Sequence, residues 1–350
     1  MRESKTYIAT PPGETIKEQL EDRGMSQKEF SQRMGMSEKH ISRLINGEVQ
    51  LTQEMAYRLE TVLGVPARFW NNLEAIYREK MVKIEEENDM QDDIQLAKNY
   101  PYREMVKNGW LPEETEPEKR VAALRRFFEV ARLTLLSNDR LLPGIACRRQ
   151  SVTEKADYAL ICWAQKARLE ARKAHTQKVD LKGLEQQLGC IRRMTTEAPE
   201  KFCPELIALL ANHGIALVLL PHIGGSFLHG ATFQEKDKIV MGMTIRGKDA
   251  DKFWFSLFHE IGHILLGHLN QPGGTTLEDE KEADRFAGDT LIPPEDFDRY
   301  TWKGNFSKTA IQKFAEELGI DPGIVVGRLQ KERYIKFSWC NDLKTQYVWI

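Results

Sequence analysis

FWFSLFHEIGHILLGH, residues Phe253–His268, decides the reading of this chain, because it sets His259, Glu260 and His263 at HExxH spacing inside an apolar run. The spacing predicts a helix on which the two imidazoles, one turn apart, leave the same face and can close on one metal ion. Glu260, next to the first histidine, then stands beside the open coordination position as the candidate general base. Phe253, Trp254, Phe255, Leu257, Phe258, Ile261, Ile264, Leu265 and Leu266 make this helix apolar nearly all round, as expected of one running through the middle of a domain. Two histidines and a glutamate rarely enter such surroundings unpaired.

A catalytic zinc site needs a third protein ligand and one open position. Glu280 is the candidate, seventeen positions after His263 in LEDEKEADRFAGDTLIP. Glu278 and Glu282 are rivals that periodicity leaves open, and Asp279 lies off the face. Asp284 shares the face of Glu280 one turn later and could accept a hydrogen bond from the free ring N–H of a ligating histidine, fixing its tautomer. HExxH patterns that recruit a third histidine place a glycine three residues after the second one and the new histidine three later. Here Gly267 and His268 fall four and five residues after His263, so His268 reads as a helix-end cation or a polar cap. His222 and His229, in PHIGGSFLHG, read as surface or satisfied histidines, with oxyanion stabilisation as the sharper alternative.

HEIGHILLGH followed by EKEADRFAGDTLIP, with IVMGMTIRG and KDAD before them, resembles the ImmA/IrrE family of metallo-endopeptidases. The resemblance implies a gluzincin-like zinc peptidase, in a family whose members cleave or otherwise inactivate a DNA-binding repressor. The expected site has one Zn²⁺ per chain on His259, His263 and Glu280, with Glu260 catalytic and Asp284 behind the ligands. Two histidines and a carboxylate suit Mn²⁺ or Fe²⁺ as well. An extended peptide substrate would lie along a strand, which Ser226 to Gln234 or Lys238 to Ile245 could supply.

The N-terminal region carries a second and independent signal. Ser26 caps the run QKEFSQRMG, Gly35 makes a turn, and Ser37 caps EKHISRLINGE, which ends at Gly47. This is the grammar of a helix-turn-helix. Phe30, Met34, Ile41, Leu44 and Ile45 are spaced to pack the two helices together, leaving Glu38, Lys39, His40, Ser42 and Arg43 on or near the exposed face. The whole segment from GETIKEQL to NNLEAIY resembles the XRE or Cro-type DNA-binding domains, HigA-like antitoxins in particular. The resemblance implies that Gln27 meets a phosphate and that Glu38, Lys39 and Arg43 point at base edges, Arg43 being the candidate for a guanine. Residues 1–80 carry 12 Lys+Arg and 12 Asp+Glu, so no general attraction to the phosphate backbone is expected. Specific binding to a double-stranded operator would then rest on a homodimer reading two half-sites.

At 350 residues the chain exceeds what one core usually organises. A net charge of −2 and a charged content of 29% point to neither acidic nor basic partners. No apolar run reaches the length of a membrane span and no signal peptide opens the chain. Five scattered cysteines without CxxC spacing fit a reducing cytoplasm better than a disulfide framework. Leu73 to Lys98 reads as one long charged helix, a solvated spacer or a surface for a second copy, with the spacer the safer reading. Further helices are expected at Glu118–Leu133, Glu154–Lys173, Leu181–Met194 and Glu200–His213. Trp110, Phe127, Phe128, Trp163 and Phe202 are taken as core. IALVLLP, SFLHGATFQ and KIVMGMTIRG read as strands of one sheet. SKTAIQKFAEELGIDPGIVVGRLQ echoes the first helix-turn-helix, but its second helix is too apolar to read bases and is expected to pack within the peptidase fold.

The expected fold is mainly α with an α+β part: a helix-turn-helix domain over 1–78, a helical connector over 79–200, and a gluzincin-like α+β metallopeptidase domain over 201–350. Two functions follow. The first is a DNA-binding regulator that cleaves a repressor-type protein, or itself, to reset transcription. The alternative is a HigA-like antitoxin and autorepressor, in a toxin–antitoxin or stress operon, whose metal domain senses or binds a partner such as a toxin without proteolysis.

Overall fold

A computed structural model describes residues 2–137, 154–224, 230–244, 249–269 and 275–347. Contacts divide the chain into two compact units, Met1–Gln95 and Leu96–Ile350.

Unit 1 opens with an antiparallel hairpin of β1 (Arg2–Glu3) and β2 (Ile8–Ala9). Four helices follow: α1 (Pro12–Asp22), α2 (Gln27–Met34), α3 (Glu38–Ile45) and α4 (Gln53–Leu63). Their starts are encoded locally. Ser26, Ser37 and Thr52 each accept a hydrogen bond from the backbone N–H three residues on, at Glu29, His40 and Met55, a cap worth about 1 kcal/mol apiece. Gly35 ends α2 at a left-handed φ of 64°, a conformation with no steric cost for glycine. Ile16, Phe30, Met34, Ile41, Leu44, Ile45 and Leu59 are buried together as one core.

The long helix α5 (Ala67–Ala97) starts in this unit. Its Trp70, Glu74, Tyr77, Met81 and Ile84 are buried, and their alternating spacing of four and three places them along one face. Trp70 joins the helix-turn-helix core, while Tyr77, Met81 and Ile84 cluster with Ala9 of the hairpin. The hydroxyls of Ser4 and Thr6 donate to the Glu87 carboxylate, tying the hairpin to the same helix. The spacer reading of this helix is therefore corrected for its first half, which is an integral wall of unit 1.

Unit 2 contains α6 (Tyr102–Lys107), α7 (Pro117–Phe128), α8 (Glu154–Lys173), α9 (Leu181–Arg193), α10 (Pro199–Asn212), β3 (Ile215–Leu220), β4 (Gly230–Glu235), β5 (Lys238–Thr244), α11 (Ala250–Leu265), α12 (Leu277–Leu291), α13 (Pro294–Trp302), α14 (Lys308–Leu318) and α15 (Pro322–Lys331). Helix α7 stops short of the expected Leu133. Glu129 takes φ 56°, and the N–H groups of Glu129 and Val130 close on the carbonyls of Arg126 and Arg125. No glycine marks this left-handed cap, so the sequence pattern ran past it.

The sheet has the order β3-β5-β4, with β3 parallel to β5 and β4 antiparallel to it. Among the described residues, strand β5 is thus paired on both sides and β4 on one. Side chains alternate between two cores, as the pleat requires. Ile215, Leu217, Ile239, Met241 and Met243 face a core shared with α9 to α15, whereas Ala216, Val218, Leu220 and Val240 face one shared with α6 to α8. A sheet covered on both faces accounts for the continuous apolar run of β3. Trp163 of α8 presses on Gly242, where a Cβ would come within 2.6 Å of its ring. Trp163, Phe127, Phe128 and Phe202 are core residues as expected, and half-buried Trp110 stacks on Phe127.

In the echo of the helix-turn-helix, Gly323, Ile324, Val325, Val326 and Leu329 of α15 are buried, so α15 serves packing and presents no base-reading face. No helix among the described residues is long and apolar enough to cross a membrane. Cys162, Cys190, Cys203 and Cys340 are free thiols; Cys147 lies outside the described residues.

Candidate metal centre and nucleic-acid interface

Helix α11 runs through the core of unit 2, with Phe253, Trp254, Leu257, Phe258, Ile261 and Ile264 buried. Its position is fixed at the start by a strap from the C-terminal segment. Ala250 N–H donates to the Thr345 carbonyl, and Trp254 Nε1–H donates to Tyr347 Oη at 2.8 Å. Burial pushes the Tyr347 phenol up to about 12, so it stays neutral as acceptor for the indole.

Small residues bring the second helix of the candidate metal centre close. Gly262 of α11 meets Ala283 and Phe286 of α12, and a Cβ at Gly262 would sit 3.0 Å from the Phe286 ring. With Ala283 and Ala287 fully buried, the two helices approach closely enough for a glutamate one turn earlier to reach the histidines. Thr276 and Asp279 form a reciprocal capping box at the start of α12, which sets where that first turn lies.

The result is a cluster of three donors, His259, His263 and Glu280. His259 Nε2 and His263 Nε2 are 3.0 Å apart, and the Glu280 carboxylate lies 3.3 Å from the first and 3.5 Å from the second. Ligands at about 2.0–2.1 Å in tetrahedral array around zinc stand about 3.3 Å from one another. The three separations fit one ion in their midst. Both imidazoles also have their outer nitrogens engaged: His259 Nδ1 meets Asp284 Oδ1 at 2.9 Å, and His263 Nδ1 meets His268 Nδ1 at 3.0 Å.

The electrostatics agree with a cation at this point. Burial alone would depress the proton affinity of His259, yet hydrogen bonds to Asp284 and Glu280 and the nearby charge of Glu260 outweigh it and raise its pKa to about 9. Asp284 is correspondingly held below the usual carboxylate range, by His259 first and then by Lys331. A field that stabilises a proton on His259 also stabilises a divalent ion in its place.

Glu260 is 2% exposed and is not one of the three clustered donors. Thr232 Oγ1 on β4 donates to its Oε2 at 2.7 Å. Gly230, at the start of the same strand, leaves the carboxylate room; a Cβ there would lie 2.8 Å from Oε1. His259, Glu260, Gly230, Phe255, Asp284 and Arg328 line a cleft of about 1060 Å³, larger than a drug-sized pocket.

The two rivals of Glu280 go elsewhere. Glu278 is exposed and pairs with Lys281 at 3.1 Å, and Glu282 turns to His268 at 3.3 Å. His222 follows β3 half-buried and does not line the cleft, and His229 lies outside the described residues, as do Ser226 and Ile245 of the candidate substrate strands.

The reading of His268 as a helix-end cation or polar cap is corrected. It is 5% exposed and folds back onto His263. A signal was present: Gly267 at φ 77° reverses the chain, and the His268 N–H returns to the His263 carbonyl. A glycine just past a helix end implies that the next residue bonds back to the third-last helical carbonyl, here that of His263.

In unit 1, Gln27, Glu38, Lys39 and Arg43 are exposed, at the start of α2 and on the outer face of α3. Arg43 lies 3.5 Å from Glu48 with both side chains about half exposed, a pair weak enough to open for a base edge. Half-buried His40 keeps its Nε2 covered, so it belongs less to that face than the helical spacing implied.

Comparison with known proteins agrees with this division. Residues 16–70 match the family described as helix-turn-helix, and residues 246–330 match the IrrE N-terminal-like domain of the M78 peptidases. An HTH-type transcriptional regulator of Escherichia coli (strain K12), YddM, is 38% identical over 63 residues, spanning 18% of this chain and 67% of the relative.

Proposed function

The chain belongs to the XRE-type helix-turn-helix family of transcriptional regulators and carries an IrrE-like metallopeptidase domain, and from that premise we propose that it hydrolyses a peptide bond in a repressor-type protein, or in itself, while bound to its operator. The observation that carries the reading is the triad of donor atoms 3.0–3.5 Å apart beside a buried carboxylate that is not one of them. By role, residues 1–78 read DNA, 79–200 connect and cover, and 201–350 carry the chemistry.

His259, His263 and Glu280 would hold one zinc ion, and Asp284 would keep the proton of His259 on Nδ1, leaving Nε2 for the metal. A divalent ion there lowers the pKa of water and polarises a carbonyl. Glu260 takes the proton of the attacking water and passes it to the leaving amine. Thr232, by donating to Oε2, holds the carboxylate toward the cleft. An extended substrate lies along the open edge of β4, whose backbone groups face away from β5; β5, paired on both sides, has no edge to offer.

The alternative, an antitoxin-type autorepressor whose metal domain only binds, has no use for Glu260, which costs free energy to bury next to the cluster. Hydrolysis needs a base at that position. The test is a comparison of new protein N-termini in cells expressing wild type or Glu260→Gln: at least one cleavage confined to wild type is expected, and identical sets would overturn the reading.

For the DNA-binding face, we place Arg43, Lys39 and Glu38 at base edges and Gln27 at a phosphate, in a homodimer on a cytoplasmic operator. Arg43→Ala is expected to weaken operator binding by about 1–3 kcal/mol, roughly 10- to 100-fold, with specificity relaxed at one base position. Titration of operator and scrambled DNA at one salt concentration measures it. Equal affinity of both proteins would remove Arg43 from the interface.

A further inference from the structure

We propose that His268 is a positioning residue of the metal centre, the middle member of a chain that runs from His263 through His268 to the carboxylates of Glu282 and Asp279. The inference rests on the metal-site reading above and extends it to a residue outside the HExxH and glutamate pattern.

With an ion on His263 Nε2, the direction of each hydrogen bond in the chain follows. An ion on His263 Nε2 leaves the single ring proton on Nδ1. That N–H can only donate, and the atom it meets at 3.0 Å is His268 Nδ1, which must therefore accept. His268 then carries its own proton on Nε2, which faces Glu282 Oε2 at 3.3 Å and Asp279 Oδ1 at 3.6 Å. Both neighbours are acceptors when ionised, so the chain closes without a mismatched pair.

The surroundings hold His268 in place. It is 5% exposed, and its backbone N–H is bonded to the His263 carbonyl across the Gly267 turn. Asp279 is itself fixed by the capping box, its other oxygen accepting from the Thr276 N–H at 2.7 Å. The first two turns of α12 thus orient both histidines: Asp284 and Glu280 act on His259, and Asp279 and Glu282 act on His263 through His268. A neutral His268 that accepts from His263 raises the basicity of the opposite nitrogen and locks the ring plane, as outer partners of ligating histidines do.

The test uses the full-length protein and zinc affinity from chelator competition, with the visible spectrum of the Co²⁺-substituted protein as a second readout and the melting temperature of chelator-treated samples as the fold control. His268→Phe keeps the ring shape and removes the acceptor; it is expected to weaken zinc by about 10- to 100-fold and to shift the Co²⁺ bands. His268→Asn places a carbonyl oxygen near the position of Nδ1 and is expected to stay within about threefold of wild type. Loss in His268→Asn equal to that in His268→Phe, or none in either, would overturn the proposal. So would two zinc ions per wild-type chain with the second lost in His268→Phe, since His268 would then be a ligand of another site. A wild-type chain that binds no zinc would overturn the metal reading itself, a result distinct from tight binding that ignores position 268.

Discussion

Glu260→Gln is expected to leave the protein folded and loaded with metal while lowering peptide-bond hydrolysis on the order of 10³-fold, about 4 kcal/mol on the barrier. The reasoning is atomic. Glutamine keeps the volume of a side chain that is 2% exposed and lies against Gly230. Its carbonyl oxygen can still accept from Thr232 Oγ1, so the local hydrogen bond survives. What it lacks is a site for the proton of the attacking water. Because Glu260 is not one of the three clustered donors, zinc content should remain at the wild-type value. Cleavage at one identified site, timed by mass spectrometry against zinc content of the same sample, checks both halves. Full turnover in the variant would remove Glu260 from the mechanism, and loss of metal would make it a ligand.

The second large effect belongs to unit 1. Gly13→Ala is expected to destabilise the DNA-binding unit by about 3 kcal/mol, the upper end of what overpacking costs. The new Cβ would collide with the backbone of Ile45, its carbonyl oxygen included. Backbone atoms at the end of a helix cannot swing aside as a flexible side chain can, so α1 must move off α3. Operator binding should fail at temperatures where wild type binds, while zinc content stays unchanged, since the metal site lies in a separate compact unit. Gly24→Ala is the control: unlike Gly13, which lies inside helix α1, it has a left-handed φ of 58°, and nothing lies within 4 Å of its Cβ. About 1 kcal/mol is expected there from backbone strain alone. Calorimetric melting of both variants decides it, and equal losses would show that the close approach at Gly13 carries no weight.

What the sequence disclosed about this chain was mostly local. The serines at 26 and 37 read as caps because a hydroxyl three residues before an N–H needs no tertiary context. The HExxH spacing read as a metal pair because one helical turn fixes two side chains relative to each other. Glu280 could only be favoured over Glu278 and Glu282, since choosing among them requires knowing how α12 is rotated against α11. That rotation is set by Gly262, Ala283 and Ala287, small residues whose meaning appears only when the helices are in contact. Which strand offers an edge was equally closed to sequence reading, because the parallel pairing of β3 with β5 skips β4. The hairpin at residues 2–9 has strands of two residues each, too short for any periodicity to show. His268 is legible in part: Gly267 marks the helix end, but the sequence does not show that the turn after it carries the imidazole back to His263.

The central claim is that His259, His263 and Glu280 hold one catalytic ion. The direct measurement is elemental analysis of purified full-length wild type, His259→Ala and Glu260→Gln after metal loading and buffer exchange. The account predicts about one zinc per chain in wild type and Glu260→Gln, and none in His259→Ala. Wild type without bound metal, or His259→Ala that keeps its zinc, would contradict it.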